Sequence, residues 1–574
     1  MNDRPNVQTH AATDGALADT LLKMGRFLRP GEQSQDLRAL FLDGGRQGDV
    51  FYRDRWAHDK VVRSTHGVNC TGSCSWKVYV KDGVITWEAQ QTDYPSVGPN
   101  SPEYEPRGCP RGAAFSWYTY SPTRVRYPYI RGVLAEIYRE AKRQHPDPVE
   151  AWASIVENPE LARKYKSARG KGGLIRTTWE EAMEIASAAQ VYSVKKYGPD
   201  RIAGFSPIPA MSMVSHGAGS RYLNLVGGTM LSFYDWYADL PVASPQVFGD
   251  QTDVPESADW WNAGYLIMWG SNVPVTRTPD AHFMTEARYR GQKVVTVSPD
   301  YTDNTKFADE WVSLHPGTDA ALGMAMGHVI LREHYVEKRT ARFEEYMQKF
   351  TDSPYLVALE QHPDGGLVPG KFLTASDLED ERSSLPRADF KTVLLDEHGN
   401  AVVPNGSLGH RFTPEDEGRW NLDLEGVTPP LSIADLASWD GEVREILLPR
   451  FDLAPEAGQE HAGGSGTIRR GVPVRTVAGQ TVTTVFDLML AQYGVGRDGM
   501  PGEWPTGYDD AQSPGTPAWQ EELTSVPPEQ AIRIAREFAD NADRSGGRSM
   551  ILMGPVRTTG STQTPFTAPS LHSR

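Results

Sequence analysis

The chain has 574 residues with 58 basic and 74 acidic side chains, a net charge of −16 at neutral pH. That balance excludes non-specific nucleic-acid binding and direct docking on an anionic membrane. A hydrophobic content of 39% with 15 tryptophans excludes wholesale disorder, and a total of three cysteines excludes a disulfide scaffold.

Residues 1–55 are polar and irregular apart from one amphipathic stretch, Leu17–Phe27, and read as an arm with no apolar export signal. From 56 to 120 the pattern is β-rich. Cys74–Val80 alternates, Lys81-Asp82-Gly83 turns and Val84–Glu88 returns, which predicts a hairpin. Residues 121–350 read as α/β. A helical stretch comes first, with Thr178 opening a helix that runs to Tyr197. Strand Arg201–Phe205 and helix Ser215–Val226 follow. Strand Gly264–Gly270, helix Asp280–Arg290 and strand Gln292–Asp300 then predict a βαβ unit, with a parallel sheet and its ligand edge at the strand C-termini. The longest apolar stretch, Ala320–Leu331, contains His328 and falls short of the roughly 20 residues a bilayer span needs, so no transmembrane helix is predicted. Residues 351–480 are rich in Gly, Pro and Asp and read as an insertion with short strands. Residues 481–553 return to α/β with helix Gln530–Phe538 and strand Ser549–Met553.

Three groups of residues carry chemistry. All the cysteines fall beside one spaced histidine, as His66-x3-Cys70-x3-Cys74 with Cys109 further on. One imidazole and three thiolates make four ligands, a set that suits tetrahedral zinc or an iron–sulfur cluster; three buried reduced cysteines are the bland alternative. Cys109 lies in Pro106-Arg-Gly-Cys-Pro-Arg-Gly112, so Arg111 is a fixed cation two residues past a ligand. A cation there stabilises a reduced cluster or pairs with an anionic cofactor, which favours iron and sulfur over zinc; a surface ion pair is its alternative role. In Ser232–Pro241, Asp235 and Asp239 stand four apart among aromatics, on one face if helical. A carboxylate buried in such a setting needs a metal, a cation or a proton, and a hard high-valent metal takes oxygen ligands; a capped surface turn is the alternative. Gly270-Ser271-Asn272, Ser298-Pro-Asp300 and His315-Pro-Gly-Thr-Asp319 close the predicted βαβ region. Strand-end loops of this kind let backbone N–H groups approach phosphate, and neighbouring carboxylates accept from ribose or guanine. Ordinary βα turns and helix caps are the alternative for each.

The stretch His66-Gly-Val-Asn-Cys-Thr-Gly-Ser-Cys-Ser-Trp76 resembles the cluster motif of the catalytic α subunits of membrane-bound respiratory nitrate reductases. These belong to the molybdopterin-guanine-dinucleotide oxidoreductases, the dimethyl-sulfoxide-reductase-like family. Glu105–Gly112, Asp147–Ser154, Gly204–Met213, Ser232–Pro241, Gln251–Ser257 and Trp269–Pro274 are similar as well, and the resemblance runs from about residue 50 to 553. It implies an α/β, multi-domain fold of the molybdopterin oxidoreductase type, with an N-terminal β-rich iron–sulfur region and parallel-sheet cofactor domains, incomplete at the C-terminus. It implies that His66, Cys70, Cys74 and Cys109 hold a 4Fe–4S cluster and that Arg111 stands between cluster and pterin. Asp239, with Asp235 as fallback, matches the protein ligand to molybdenum held by bis-molybdopterin guanine dinucleotide. Ser271, Asn272, Asp300 and Asp319 fall in segments that resemble contacts to that dinucleotide. The implied reaction is nitrate reduction to nitrite. Its electrons come from quinol through an iron–sulfur β subunit and a haem b membrane γ subunit, at the cytoplasmic face of the membrane and after help from an assembly chaperone. A related oxyanion reductase for chlorate or selenate, a nitrite oxidoreductase, and a non-enzymatic metal-binding remnant that only binds a β subunit are the competing readings.

Residues 554–574 depart from the family. They contain no acidic residue and resemble nothing in it. In a shifted frame the codons of Thr558, Thr559 and Gly560 permit Asn-His-Trp, which is similar to the family's continuation. The expectation is a base lost near codon 554, the reaction belonging to the gene and the chain alone being inactive; a real divergent tail with a genuine stop is the alternative.

Overall fold

The computed structural model describes residues 58–64, 74–93, 99, 108–205, 213–231, 257–276, 278–363, 365–404, 424, 426–450, 452 and 466–553, with strand backbone also at 29–33 and 40–43. The chain divides into two compact units, Met1–Tyr237 with Val273–Phe283, and Ala238–Asn272 with Met284–Arg574.

In the first unit Lys60–Ser64 (β1), Trp76–Lys81 (β2) and Val84–Gln90 (β3) form an antiparallel sheet in the order β1-β2-β3. Asp82 (φ 50°) and Gly83 (φ 78°) make the β2–β3 turn. Two successive positive φ angles match the twist of the flanking strands, as the Asp-Gly pair predicts. The register pairs Lys81 with Val84 and Trp76 with Gln90, and the sheet buries Trp76, Tyr79 and Val80. The β-rich expectation for 56–120 needs correction at its end, where Pro110–Ala113 and Phe115–Tyr120 are short helices. Pro110 opens the first of them, at a position where a missing N–H costs nothing. The second is tied to β3: the Ser116 N–H donates to Glu88 Oε1 at 2.7 Å and the Ile85 N–H to the Tyr120 hydroxyl at 2.8 Å.

Four helices follow: Gly132–Gln144 (α1), Pro148–Val156 (α2), Pro159–Lys166 (α3) and Trp179–Tyr197 (α4). Three of them begin where the sequence dictates. Asp147, Asn158 and Thr178 accept from the first free N–H groups of α2, α3 and α4, and Pro148 and Pro159 sit just inside. Leu134, Tyr138, Ile155, Tyr165 and Ile185 form their shared core. Beyond them a two-residue parallel pair, Ala203–Gly204 with Thr229–Met230, flanks helix Met213–Val226.

The second unit contains Tyr265–Trp269 (β4), Lys293–Val297 (β5), Glu310–Val312 (β6) and Asp319–Leu331 (α5). Leu356–Gln361 (β7), Leu367–Phe372 (β8), Val443–Pro449 (β9), Thr467–Pro473 (β10), Arg475–Val477 (β11) and Gln480–Thr484 (β12) follow. Val485–Gln492 (α6), Pro517–Thr524 (α7), Pro528–Ser545 (α8) and Ser549–Met553 (β13) complete it. The predicted parallel sheet is present, in the order β6-β5-β4-β13. Leu266, Ile267, Met268, Val294 and Val295 have no exposed surface, the unbroken apolar run of strands buried on both faces. One face packs on α5 and α8 through Leu322, Met326, Val329, Ala531, Ile534 and Ala535.

The predicted helix Asp280–Arg290 is a regular helix only over Ala281–Ala287, with tight turns on either side, and Gly291 (φ 93°) ends it. Helix α8 runs past the predicted Phe538 to Ser545, where Gly546 (φ 72°) supplies the left-handed stop. Residues 351–480 build most of a six-stranded sheet, β10-β9-β8-β7-β12-β11, in which only the β8–β9 pair is parallel. Residue 480 is the first of β12, and Thr484, the last, caps α6.

The far end of α6 is held by two buried cations or potential cations. Arg470 Nη1 donates to the carbonyls of Ala491 (2.5 Å) and Gln492 (3.3 Å), and its Nε to that of Glu503 (2.9 Å). His328 Nδ1 donates to the Tyr493 carbonyl at 2.8 Å. Helix C-termini leave carbonyls unsatisfied and attract positive charge. That accounts for a guanidinium only 1% exposed that forms no salt bridge among the described residues. Burial pushes Arg470 down to about 10. It also pushes His328 down to about 4, with Arg332 and Arg470 acting in the same direction and the Tyr493 carbonyl against it.

Candidate functional site

Two groups of predicted site residues fall within the described parts, one in each unit. In the first unit Cys74 lies two residues before the strand that begins at Trp76 and is wholly buried. Cys109 opens the helix Pro110–Ala113 and is half-buried. Neither is in a disulfide. The segments meet through Gly108. A Cβ there would run into Gln90 Oε1 and lie 2.8 Å from the Trp76 ring, so any larger residue would force those side chains to shift. Trp76 and Gln90 are the paired residues at the base of the β2–β3 hairpin. Cys109, one residue from Gly108, and Cys74, two residues from Trp76, therefore flank the same end of the sheet. Arg111 is exposed and forms no ion pair among the described residues. His66 and Cys70 lie outside the described residues, and among the described ones no three His, Cys, Asp or Glu side chains gather as a metal site. Asp235 and Asp239 also lie outside them, as do residues 554–574.

In the second unit the remaining four residues meet at one edge. Ser271 and Asn272 follow β4, Asp300 follows β5, and Asp319 begins α5 shortly after β6. All three places are at the carboxyl ends of parallel strands. Strands β5 and β6 extend the sheet on one side of β4 and β13 on the other, so the winding reverses between β4 and β13. Such reversal points are where open α/β sheets take their ligands.

Short bonds stitch the strand ends together. The Gly270 N–H donates to the Val297 carbonyl at 2.9 Å, and Gly270 itself turns with φ 63°. The Trp269 indole N–H donates to Asp319 Oδ1 at 2.9 Å, tying β4 to the start of α5. The Ser298 N–H donates to the Val312 carbonyl at 3.1 Å. Asp300 is exposed, and Ser271 and Asp319 are half-buried. The edge thus offers a glycine turn, one open carboxylate and one that keeps an oxygen beyond its tryptophan bond. Those groups suit the phosphate, hydroxyl and amine groups of a nucleotide.

Sequence reasoning missed Asn304. It is 1% exposed, and its Nδ2 donates to the Ser271 carbonyl. Its Oδ1 is buried without a hydrogen-bond partner, as is Thr305 Oγ1 next to it. No spacing motif marks these residues; the only signal was a run of polar side chains directly after a strand end.

Comparison with known proteins follows the same lines. Residues 124–563 match the model of the molybdopterin oxidoreductase family. The nitrate reductase alpha subunit of Mycobacterium tuberculosis is 65% identical over 543 residues, 94% of this chain and 43% of that one. The nitrate reductase alpha chain of Bacillus subtilis is 52% identical over 520 residues, 89% of this chain and 41% of that one. The respiratory nitrate reductase 1 alpha chain of Escherichia coli is 51% identical over 540 residues, 92% of this chain and 43% of that one. The chain spans less than half the length of these relatives.

Proposed function

The chain belongs to the molybdopterin oxidoreductase family, and we propose that it carries part of the catalytic subunit of a quinol-linked nitrate reductase. The observation that carries this reading is the 65% identity to a nitrate reductase alpha subunit over nearly the whole chain. The cofactor is molybdenum with bis-molybdopterin guanine dinucleotide, and the strand-end edge fits its nucleotide part. Gly270 turns where only a glycine sits without strain. Asn304 and Thr305 keep buried acceptor atoms at that edge without protein partners, and buried polar atoms left so call for a ligand or a water. Ser271, Asn272, Asp300 and Asp319 would hold the dinucleotide.

His66, Cys70, Cys74 and Cys109 would hold a 4Fe–4S cluster; the approach of the Cys74 and Cys109 segments through Gly108 supports that set. The Arg111 guanidinium, fixed on the helix that Cys109 opens, would offset the negative charge of a reduced cluster. Asp239 would be the protein's ligand to the metal. Bound molybdenum supplies the two-electron step in which nitrate gives up one oxygen atom. With a net charge of −16 the chain as a whole repels nitrate, so any attraction is local, from arginines or the metal. Electrons enter through an iron–sulfur β subunit from a haem b membrane γ subunit, and a dedicated chaperone assembles the cofactor. No helix among the described residues is long and apolar enough to cross a membrane; the proposed place is the cytoplasmic face, reached through the partner subunits. On this reading 56–120 is the cluster region, 121–350 and 481–553 are cofactor-binding α/β regions, and 351–480 is a subfamily insertion.

The test is nitrite formation from nitrate by the gene's assembled product with reduced viologen, against a panel of chlorate and selenate. Nitrate turnover that is lost in Asp239→Ala supports the reading. Turnover of another oxyanion with nitrate ignored overturns it.

A further inference from the structure

We propose that Glu88 is a positioning residue for the iron–sulfur cluster: by holding the Ser116 N–H it fixes the turn of chain on which the ligand Cys109 stands. The inference rests on the cluster reading above and adds a residue which that reading does not require.

Glu88 is only 6% exposed, an uncommon place for a carboxyl group. It lies on β3 opposite Val78, two residues before Gln90, which pairs with Trp76. Side chains two apart on a strand share a face, so Glu88 stands on the face of β3 that Gly108 approaches at Gln90. Its Oε1 accepts from the Ser116 N–H at 2.7 Å, while its Oε2 is buried without a hydrogen-bond partner. Ser116 is in the first turn of helix Phe115–Tyr120, where N–H groups lack partners within the helix. Ala114 precedes that helix and has no side chain able to cap it. Glu88 supplies the missing acceptor from the neighbouring strand. The backbone carries the restraint back toward Cys109. The Ala113 N–H donates to the Cys109 carbonyl and the Ala114 N–H to the Pro110 carbonyl, both at 3.1 Å. Cys109 is thus held on both sides, by Gly108 against Trp76 and Gln90 and by Ser116 against Glu88. Both anchors belong to the hairpin whose first strand begins two residues after Cys74. Cys74 and Cys109 therefore share one support, and ligands pinned by their surroundings hold a metal more firmly than mobile ones.

Four variants test the anchor. Glu88→Met and Glu88→Ala lose the acceptor, the first with the bulk kept and the second without it. Glu88→Gln keeps a side-chain oxygen for Ser116. Thr86→Val removes a hydrogen bond to the Tyr79 carbonyl from the same strand and is the control. The first readout is amide-exchange protection of Ser116 in the purified protein, compared with the amides of β2 and β3. It is expected to fall about tenfold in Glu88→Met and Glu88→Ala, the effect of one lost hydrogen bond, and to hold in Glu88→Gln and Thr86→Val. The second readout is the rate at which an iron chelator strips the cluster, expected to rise about tenfold in the same two variants only. The third is the electron paramagnetic resonance spectrum of the dithionite-reduced protein, expected to shift or broaden in those two and to be restored in Glu88→Gln.

Unchanged Ser116 protection in Glu88→Met and Glu88→Ala overturns the anchor. Protection lost alike from β2 and β3 marks a packing role and overturns it too, and a Glu88→Gln that behaves as they do overturns the hydrogen bond as the cause. Ser116 protection lost with stripping rate and spectrum unchanged overturns the link to the cluster. Iron absent from the unmodified protein overturns the cluster reading instead, and the exchange readout still judges the anchor.

Discussion

Replacing His328 by Gln should flatten the acid side of the stability profile. His328 lies on α5, is 1% exposed and donates through Nδ1 to the Tyr493 carbonyl. Burial lowers its pKa from 6.5 to about 4, with Arg332 and Arg470 opposing a further charge. Above pH 6.5 the ring is neutral whether the chain is folded or not, and its full contribution to stability is present. As the pH falls below 6.5 the unfolded chain takes up a proton that the folded chain refuses, so stability is lost down to about pH 4. A gap of 2.5 units at about 1.36 kcal/mol each amounts to about 3.4 kcal/mol over that window. Glutamine keeps an N–H for the Tyr493 carbonyl and does not titrate. The assay is urea unfolding followed by tryptophan fluorescence at pH 7.0, 5.5 and 4.5 for both proteins. Carboxylates titrate in each and cancel in the difference. The wild type should lose about 2.4 kcal/mol more than the variant between the extremes, since the full gap is reached only below both pKa values; parallel profiles would refute the reasoning.

Other outcomes follow from single contacts. Arg470→Met leaves the carbonyls of Ala491, Gln492 and Glu503 without their buried donor and should cost about 3 kcal/mol in the same unfolding assay. Asp487→Ala removes a wholly buried carboxylate that accepts from Ser432, Ile433, Thr484 and Arg497. It strands the Arg497 guanidinium and should cost about 3–5 kcal/mol, read as a lower urea midpoint. Gly108→Ala drives a methyl into Gln90 and the buried Trp76 ring; iron per chain should fall while the helical circular-dichroism signal of α1–α4 is kept.

Local chemistry made much of the fold legible. Asp82-Gly83 forced the hairpin turn, Thr178 capped its helix as the spacing predicts, and strand Ser549–Met553 has the predicted bounds. These features depend on neighbours within a few residues. The six-stranded sheet was less visible because its strands pair across long separations, such as Leu367 with Ile446 and Val357 with Thr483. In a Gly- and Pro-rich stretch no periodicity announces those partners. The end of α8 was misjudged because Asp540, Asn541 and Asp543 look like loop residues, whereas the stop is the left-handed Gly546. The placement of Ser271, Asn272, Asp300 and Asp319 beyond strand ends was legible from the βαβ pattern. Asn304 was not, since its value lies in a bond to a carbonyl far away in sequence. His66, Cys70 and Asp239 were chosen on motif alone and lie outside the described residues.

The most direct test of the account is metal analysis of the purified protein together with its acid-labile sulfide. The account predicts iron and sulfide in equal amounts with molybdenum alongside, the iron falling in Cys74→Ser and Cys109→Ser. Zinc bound to the same cysteines, with neither molybdenum nor sulfide, would contradict it.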